Sequence, residues 1–319
     1  MIGLLEVAVL ASVILSTLTW VGTALLAPAR LPAVLSPGQR AVRARLWLYA
    51  PFWLPMLLVG ASVLPGLMGA TLGLSDHCTA HGQHHHHLCV LHPPHVSRHP
   101  LAWSLSAAAL SAMIVVLARA TWSGVRRWRL ARALVRTSRL SLLGRDVRLL
   151  DRDEPIALTV GFLRPVILLS QGLLDVVSSK TLDVVLAHER AHVTRRDTAW
   201  ALIDSIVAAL LPHSTRAGLL RSLALSREQA CDLSAAEQQG RLHVADALTK
   251  VARLNMSRPA FGMSVGASSL EARVLYLLEA PSTPRRRFAT PLAVVVVAGA
   301  SGAGPVHTVI ERAVTFLLH

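Results

Sequence analysis

Charge is scarce in this chain, and acid is scarcest. Only 16% of the 319 residues are Asp, Glu, Lys or Arg, against roughly 25% in an ordinary soluble domain, and 18 acidic residues face 32 basic ones for a formal charge of +14. So few charges do not make the surface of a soluble globular protein, particularly with 53% hydrophobic residues and a positive mean hydropathy. Aromatic residues are also few, at 4%. No helix-turn-helix pattern and no basic motif interleaved with aromatics is present, so no direct nucleic-acid partner is expected despite the positive charge. The three cysteines allow at most one disulfide. Cys78 and Cys89 lie close together in one loop, while Cys231 reads as a small buried hydrophobe.

Long runs without charge account for this composition. They cover residues 7–27, 46–74, 101–118 and 288–310. A helix needs about 20 apolar residues to cross roughly 30 Å of hydrocarbon, so each run is long enough or nearly so. The expected fold is a mainly α membrane protein with four transmembrane helices. The first run reads as an anchor rather than a cleaved signal peptide, because its apolar stretch is longer than usual and Glu6 stands where a basic flank would be. Glycine and proline interrupt the last run, as they often do in membrane helices.

The arginines give the orientation. Short cytoplasmic loops retain Lys and Arg. The loop at 28–45 holds Arg30, Arg40, Arg43 and Arg45 with no acid. Arg126, Arg127, Arg129, Arg132 and Arg136 follow the third run, and Arg285 to Arg287 precede the fourth. These flanks are expected inside, where they also meet anionic headgroups of the membrane lipid. The loop at 75–100 and both termini are expected outside. The expected organisation is a three-helix membrane region at 1–119, a cytoplasmic domain at 120–287, and a fourth span with a short tail at 288–319. The protein is then a multi-pass protein of the inner, cytoplasmic membrane.

Within the inner domain stands "LDVVLAHERAHVTRRD", residues 182–197. Ser178 and Ser179 offer an N-cap, and Leu182, Val185, Leu186 and Val193 recur at helical intervals. On a helix, side chains four apart are neighbours, so His188 and His192 can reach one zinc ion. Glu189 lies one residue round from the first histidine. It is near the metal without having to bind it, which suits a carboxylate that takes a proton from the attacking water. A third ligand is then expected from elsewhere. After an apolar helix at about 198–212 comes "SREQACDLSAA", where Glu228 and Asp232 are four apart on one helical face. Glu228 completes a His, His, Glu set. Asp232 is placed to accept the remaining N–H of a bound histidine. No residue identifies itself as an oxyanion donor: His213 and His243 both read as structural.

These stretches resemble the BlaR/MecR-type membrane metallopeptidases, within the gluzincin group of zinc proteases. The resemblance rests on "HERAHVTRRD" at 188–197, "REQACD" at 227–232, "GFLRPVILLS" at 161–170 and "LEARVLYLL" at 270–278, and on the order of three spans, a protease domain and a fourth span. It implies an α+β zincin-like protease domain with Zn2+ on His188, His192 and Glu228, Glu189 as general base and Asp232 as orienting acid. It further implies a signal-transducing endopeptidase that cleaves a protein substrate, either a cytoplasmic winged-helix transcriptional repressor or itself. Two departures stand out. No penicillin-binding domain follows the fourth run in these 319 residues, so β-lactam sensing is not expected. Arg190 also occupies a position where that family more usually has an apolar residue.

"PVILLS" at 165–170 is apolar and partly β-branched. It reads either as an edge strand that holds an extended substrate by its main chain or as a core strand that never meets substrate. Residues 76–99 hold nine of the fifteen histidines: His77, His81, His84, His85, His86, His87, His92, His95 and His99, with Cys78 and Cys89 among them. Three readings stand side by side for this outer loop. It can bind or sense a second metal such as zinc, copper or nickel, carry a Cys78–Cys89 disulfide with solvated histidines, or sense pH. Three functions remain open for the chain: a signalling protease, a constitutive quality-control protease, and a non-catalytic metal-binding receptor.

Overall fold

The computed structural model describes residues 2–28, 35–72, 100–257 and 267–279. The histidine-rich loop, with every candidate ligand from His77 to His99, and the fourth apolar run lie outside the described residues. Residues 7–26, 46–72 and 101–118 of the first three runs fall in continuous helices: α1 (Ile2–Leu26), α2 (Pro37–Leu72) and α3 (Pro100–Thr137). Among the described residues, one stretch, Trp103–Thr137, is long and apolar enough to cross a membrane by length and composition; α1 contributes a shorter apolar stretch, Ala11–Leu26. Of the three expected spans that fall among the described residues, one is a qualifying helix. One of the two compact units of the chain joins Pro28–Leu46 to Leu117–Thr283. The basic segment ahead of the second apolar run, counted above with the membrane region, therefore belongs with the domain that holds the His, Glu, His stretch.

That domain is mainly helical around a small mixed sheet. Strands β1 (Arg139–Leu140), β2 (Val147–Leu150), β3 (Ala157–Val160) and β4 (Val166–Ser170) run in the order β1-β2-β4-β3. β4 is parallel to β2, with Val147 opposite Ile167, and antiparallel to β3, with Thr159 opposite Ile167. The "PVILLS" strand is therefore central, and its edge-strand reading is corrected: the strand on that side of the sheet with an open edge is β3. The run is apolar because both faces are covered. Ile167 and Leu169 pack with Val147, Leu173 and Leu186 on one face. Leu168 packs on the other with Leu150, Val160 and the α3 residues Ala131, Leu134 and Val135. Ile167, Leu168 and Leu169 are fully buried, each contributing roughly 1.5–3 kcal/mol of hydrophobic stabilisation.

Two glycines permit close approach around β4. Gly161, at φ 101°, closes the turn after β3, where a Cβ would meet the Arg164 carbonyl oxygen at 2.7 Å. Gly172 lies in the first turn of α4 (Gln171–Val176), where a Cβ would collide with the Asp153 carbonyl oxygen.

The helix expected over the His, Glu, His stretch is α5 (Ser179–Arg195). It begins where Ser178 accepts a hydrogen bond from the Thr181 N–H. The expected apolar face, Leu182, Val185, Leu186 and Val193, lies on the sheet cluster. Val184 and Ala187, on another face, pack with Ala235, Val244 and Leu277 from α7 (His213–Gln239), α8 (Arg241–Ser257) and α9 (Ala267–Glu279). α5 is held between the sheet and a helical layer, which buries Glu189 to 8% exposure.

α5 ends at Arg196, in the left-handed region at φ 53°, ψ 40°, and α6 (Asp197–Ala208) begins at the next residue. A non-glycine residue in this region costs about 1–2 kcal/mol. The sharp corner turns Asp197 back toward α5. Arg196→Gly is expected to keep or raise the thermal midpoint, and Arg196→Val to lower stability by about 1–2 kcal/mol relative to the glycine variant. Thermal unfolding of both checks this, and equal midpoints would contradict it.

Candidate metal centre

α5 and α7 bring together the residues singled out by spacing. His188 Nε2 and His192 Nε2 are 3.2 Å apart. Glu228 on α7 closes the third side, with Oε2 3.5 Å from His188 Nε2 and Oε1 3.6 Å from His192 Nε2. The two rings meet edge to face with centroids 4.8 Å apart. Donors about 2.0–2.1 Å from a tetrahedral zinc are separated from one another by roughly 3.3 Å. The three observed separations match this, and two imidazoles with a carboxylate are a suitable donor set. These residues can hold a metal ion.

The far nitrogens of the rings are each addressed by an acid. Asp232, one turn on from Glu228 and fully buried, lies 3.0 Å from His188 Nδ1. The contact is an ion-pair approach off the line of the ring N–H, since Nδ1 has no aligned hydrogen-bond partner among the described residues. Asp197 Oδ2 lies 3.0 Å from His192 Nδ1. Such a carboxylate accepts a hydrogen bond from Nδ1–H and so leaves the Nε2 lone pair for a metal. Asp197 stood in the quoted "HERAHVTRRD" without a role. Its signal is its position immediately after the corner at Arg196.

Arg273 on α9 also had no role assigned from sequence. Its Nε and Nη2 donate to Asp232 at 2.8 and 2.7 Å, and its Nη1 lies 3.0 Å from Glu228 Oε2. This fork joins Glu228 to Asp232. Glu189 is held from β3, where Thr159 Oγ1 donates to Glu189 Oε2 at 2.6 Å and lies 3.2 Å from its backbone oxygen. Arg190 turns outward to the Leu143 carbonyl at 3.2 Å and Asp146 at 3.6 Å. A charged side chain is accommodated there because that face of α5 meets the β1–β2 turn rather than the core. His243 contacts the Gln239 carbonyl and His213 opens α7, so neither is among the residues gathered at the centre.

A second donor group shares one residue with the first: His192, Asp197 and Cys231. Cys231 is fully buried, as expected, but polar in its contacts, with Sγ 3.3 Å from His192 Nδ1 and 3.4 Å from Asp197 Oδ2. Burial and the Asp197 charge push its thiol well above the ordinary value. The protonated thiol donates a hydrogen bond to Asp197 Oδ2, whereas the His188, His192, Glu228 group brings the Nε2 atoms of both histidines and a carboxylate to one point.

The charges around this group are strongly coupled. Burial opposes a proton on His188, but Asp232, Glu228 and Glu189 hold its pKa up at about 10. Burial likewise opposes ionisation of Glu228, yet His188, Arg273 and His192 bring it down to about 2. Asp197 and Asp232 are held below the usual carboxylate range against the effect of burial, the first by His192 and Arg195 and the second by Arg273 and His188.

A group with a raised pKa stabilises the fold below its unfolded value and loses that contribution as pH rises; a lowered carboxylate does the reverse. In zinc-free protein the His188 contribution is present below pH 6.5 and lost on rising to about 10. The Glu228 contribution is present above pH 4.5 and lost on falling to about 2. The thermal midpoint of zinc-free protein is expected to be highest between these limits and to decline above pH 6.5. Zinc uptake near neutral pH is expected to release about one proton, measured by calorimetry in buffers of different ionisation enthalpy. Uptake with no proton release would contradict the assignment of His188.

Residues 125–260 match the model of peptidase family M48. No curated protein and no solved structure matches the chain. The matched stretch contains the whole sheet, both histidines, Glu189, Asp197, Glu228 and Asp232, whereas Arg273 and the segment at 28–46 lie beyond it. M48 peptidases are typically zinc-dependent, and the match supports a metallopeptidase of that family in this domain, a coarser statement than the BlaR/MecR-type resemblance.

Proposed function

We propose that the chain is an integral membrane zinc metalloendopeptidase. The observation that carries this reading is the convergence of His188 Nε2, His192 Nε2 and the Glu228 carboxylate beside the buried Glu189. His188, His192 and Glu228 hold the zinc ion. When bound, zinc acts as a Lewis acid that acidifies water and offsets negative charge developing on the scissile carbonyl oxygen. Glu189 takes the proton of the attacking water and passes it to the leaving amine. The Thr159 hydroxyl donates to Glu189 Oε2 and holds the carboxylate in place. Asp232 and Asp197 fix the rings, and Arg273 fixes Glu228. β3, open on one side, can add an extended peptide to its edge by main-chain hydrogen bonds.

The inner-membrane, signal-transducing part of the proposal rests on the four apolar runs, the arginine distribution and the histidine-rich loop. The union of Pro28–Leu46 with Leu117–Thr283 in one unit supports placing these two basic flanks on the same side. In this reading an outer stimulus acts through the spans, and the peptidase cleaves a cytoplasmic repressor or itself. Constitutive quality control would use the same centre without needing a histidine-rich exterior.

Glu189→Gln is expected to retain zinc while lowering turnover by about 10²–10⁴-fold. His188→Ala, His192→Ala and Glu228→Ala are expected to lose both. Metal analysis and peptide cleavage by purified full-length variants check this; full zinc occupancy in the His188→Ala, His192→Ala double variant overturns the site. For sidedness, an impermeant maleimide applied to reduced spheroplasts is expected to label Cys78 and Cys89 but not Lys250→Cys. Labelling of Lys250→Cys would place the domain outside.

A further inference from the structure

The basic segment ahead of the second apolar run reads from sequence as a topology signal. The structure gives two of its four arginines specific partners. Arg40, 6% exposed, donates through Nη2 to Gln229 Oε1, and its guanidinium stands 5.6 Å from the Tyr276 ring centre. Arg45 grips Asp204 with Nε and Nη2, both at 3.2 Å, and stacks 4.6 Å from the Trp200 ring centre. Asp204 is fully buried and also takes Arg227 Nη1 at 3.2 Å. The residues reached in this way, Arg227 and Gln229, are the immediate neighbours of Glu228 on α7. Gln229 further donates to the Ala272 carbonyl at 2.8 Å, beside Arg273, whose guanidinium grips Glu228 and Asp232.

A charge used only for orientation belongs in water or among headgroups. Burying Arg40, with its Nε lacking a partner among the described residues, costs stability that a solvated arginine would not. Arg43, on the same stretch of helix, is exposed, so the segment needs no buried arginine merely to be basic.

We propose that Arg40 and Arg45 are positioning residues of the metal centre, setting the place of Glu228 through Gln229 on one side and through Asp204 and Arg227 on the other. The inference rests on His188, His192 and Glu228 holding zinc. Because α2 is one helix from Pro37 to Leu72, the third ligand is then tied to the foot of an element whose remaining length is the second apolar run. A shift or rotation of that foot changes the geometry of the centre without touching either histidine.

The test is the zinc dissociation constant of full-length protein in detergent, measured by chelator competition, beside the zinc-free thermal midpoint. Arg40→Lys and Arg45→Lys keep the charge and lose the fork, and the zinc-free thermal midpoint reports whether each still folds. Each is expected to weaken zinc binding by about tenfold, Arg40→Met and Arg45→Met by more, and Arg43→Met not at all. The proposed path also requires that Arg40→Lys combined with Gln229→Ala weaken zinc no further than Gln229→Ala alone. Additive effects in that pair, wild-type affinity in both lysine variants, or loss matched by Arg43→Met would each overturn the inference. A wild-type protein that binds no zinc at this centre overturns the metal site itself, and this inference with it.

Discussion

Two imidazole nitrogens 3.2 Å apart and a carboxylate 3.5–3.6 Å from both have to be brought from two separate helices to one point. The rest of the domain is arranged around that constraint. α5 brings the histidines because positions four apart share a face, and α7 brings Glu228 because its small residues allow close packing against α5 through Ala187 and Ala235. Arg273 then neutralises two carboxylates at once, while Asp197 and Asp232 fix the ring nitrogens that face away from the donor group. Each element is placed by an apolar contact on one side and an ion pair on the other, and the small sheet keeps Glu189 in position through Thr159.

Part of this arrangement was legible in the sequence. The helix of His188 and His192, its cap at Ser178 and its sheet-facing residues Leu182, Val185, Leu186 and Val193 depend on spacing within a few turns, which periodicity reports directly. Glu228 and Asp232 were legible for the same reason, as a pair one turn apart on a second helix. Asp197, Thr159 and Arg273 were not, because their roles arise where the chain folds back on itself: at the left-handed corner of Arg196, at the open edge of the sheet and on α9, far along the sequence. Asp197 and Arg273 even stood inside stretches that carried the family resemblance.

The strand at 165–170 and the arginines at 40 and 45 mark what periodicity and composition leave open. An apolar, partly β-branched run announces a strand but not its neighbours. The order β1-β2-β4-β3 is a matter of connection, and it is β3, with Thr159, that has the open edge. A basic loop beside an apolar run satisfies the membrane orientation rule whether its arginines are solvated or buried, so composition cannot separate Arg43 from Arg40 and Arg45. Their partners Gln229 and Asp204 lie more than 150 residues away in sequence.

The central claim, that His188, His192 and Glu228 are the donor set and the His192, Asp197, Cys231 group is its support, is tested most directly by zinc X-ray absorption. The sample is full-length protein with one equivalent of zinc, carrying Cys78→Ser and Cys89→Ser so that Cys231 is the one remaining thiol. The account requires a first shell of nitrogen and oxygen alone at about 2.0–2.1 Å with the outer scattering of two imidazoles. A sulfur ligand at about 2.3 Å would put the metal against Cys231 and contradict it.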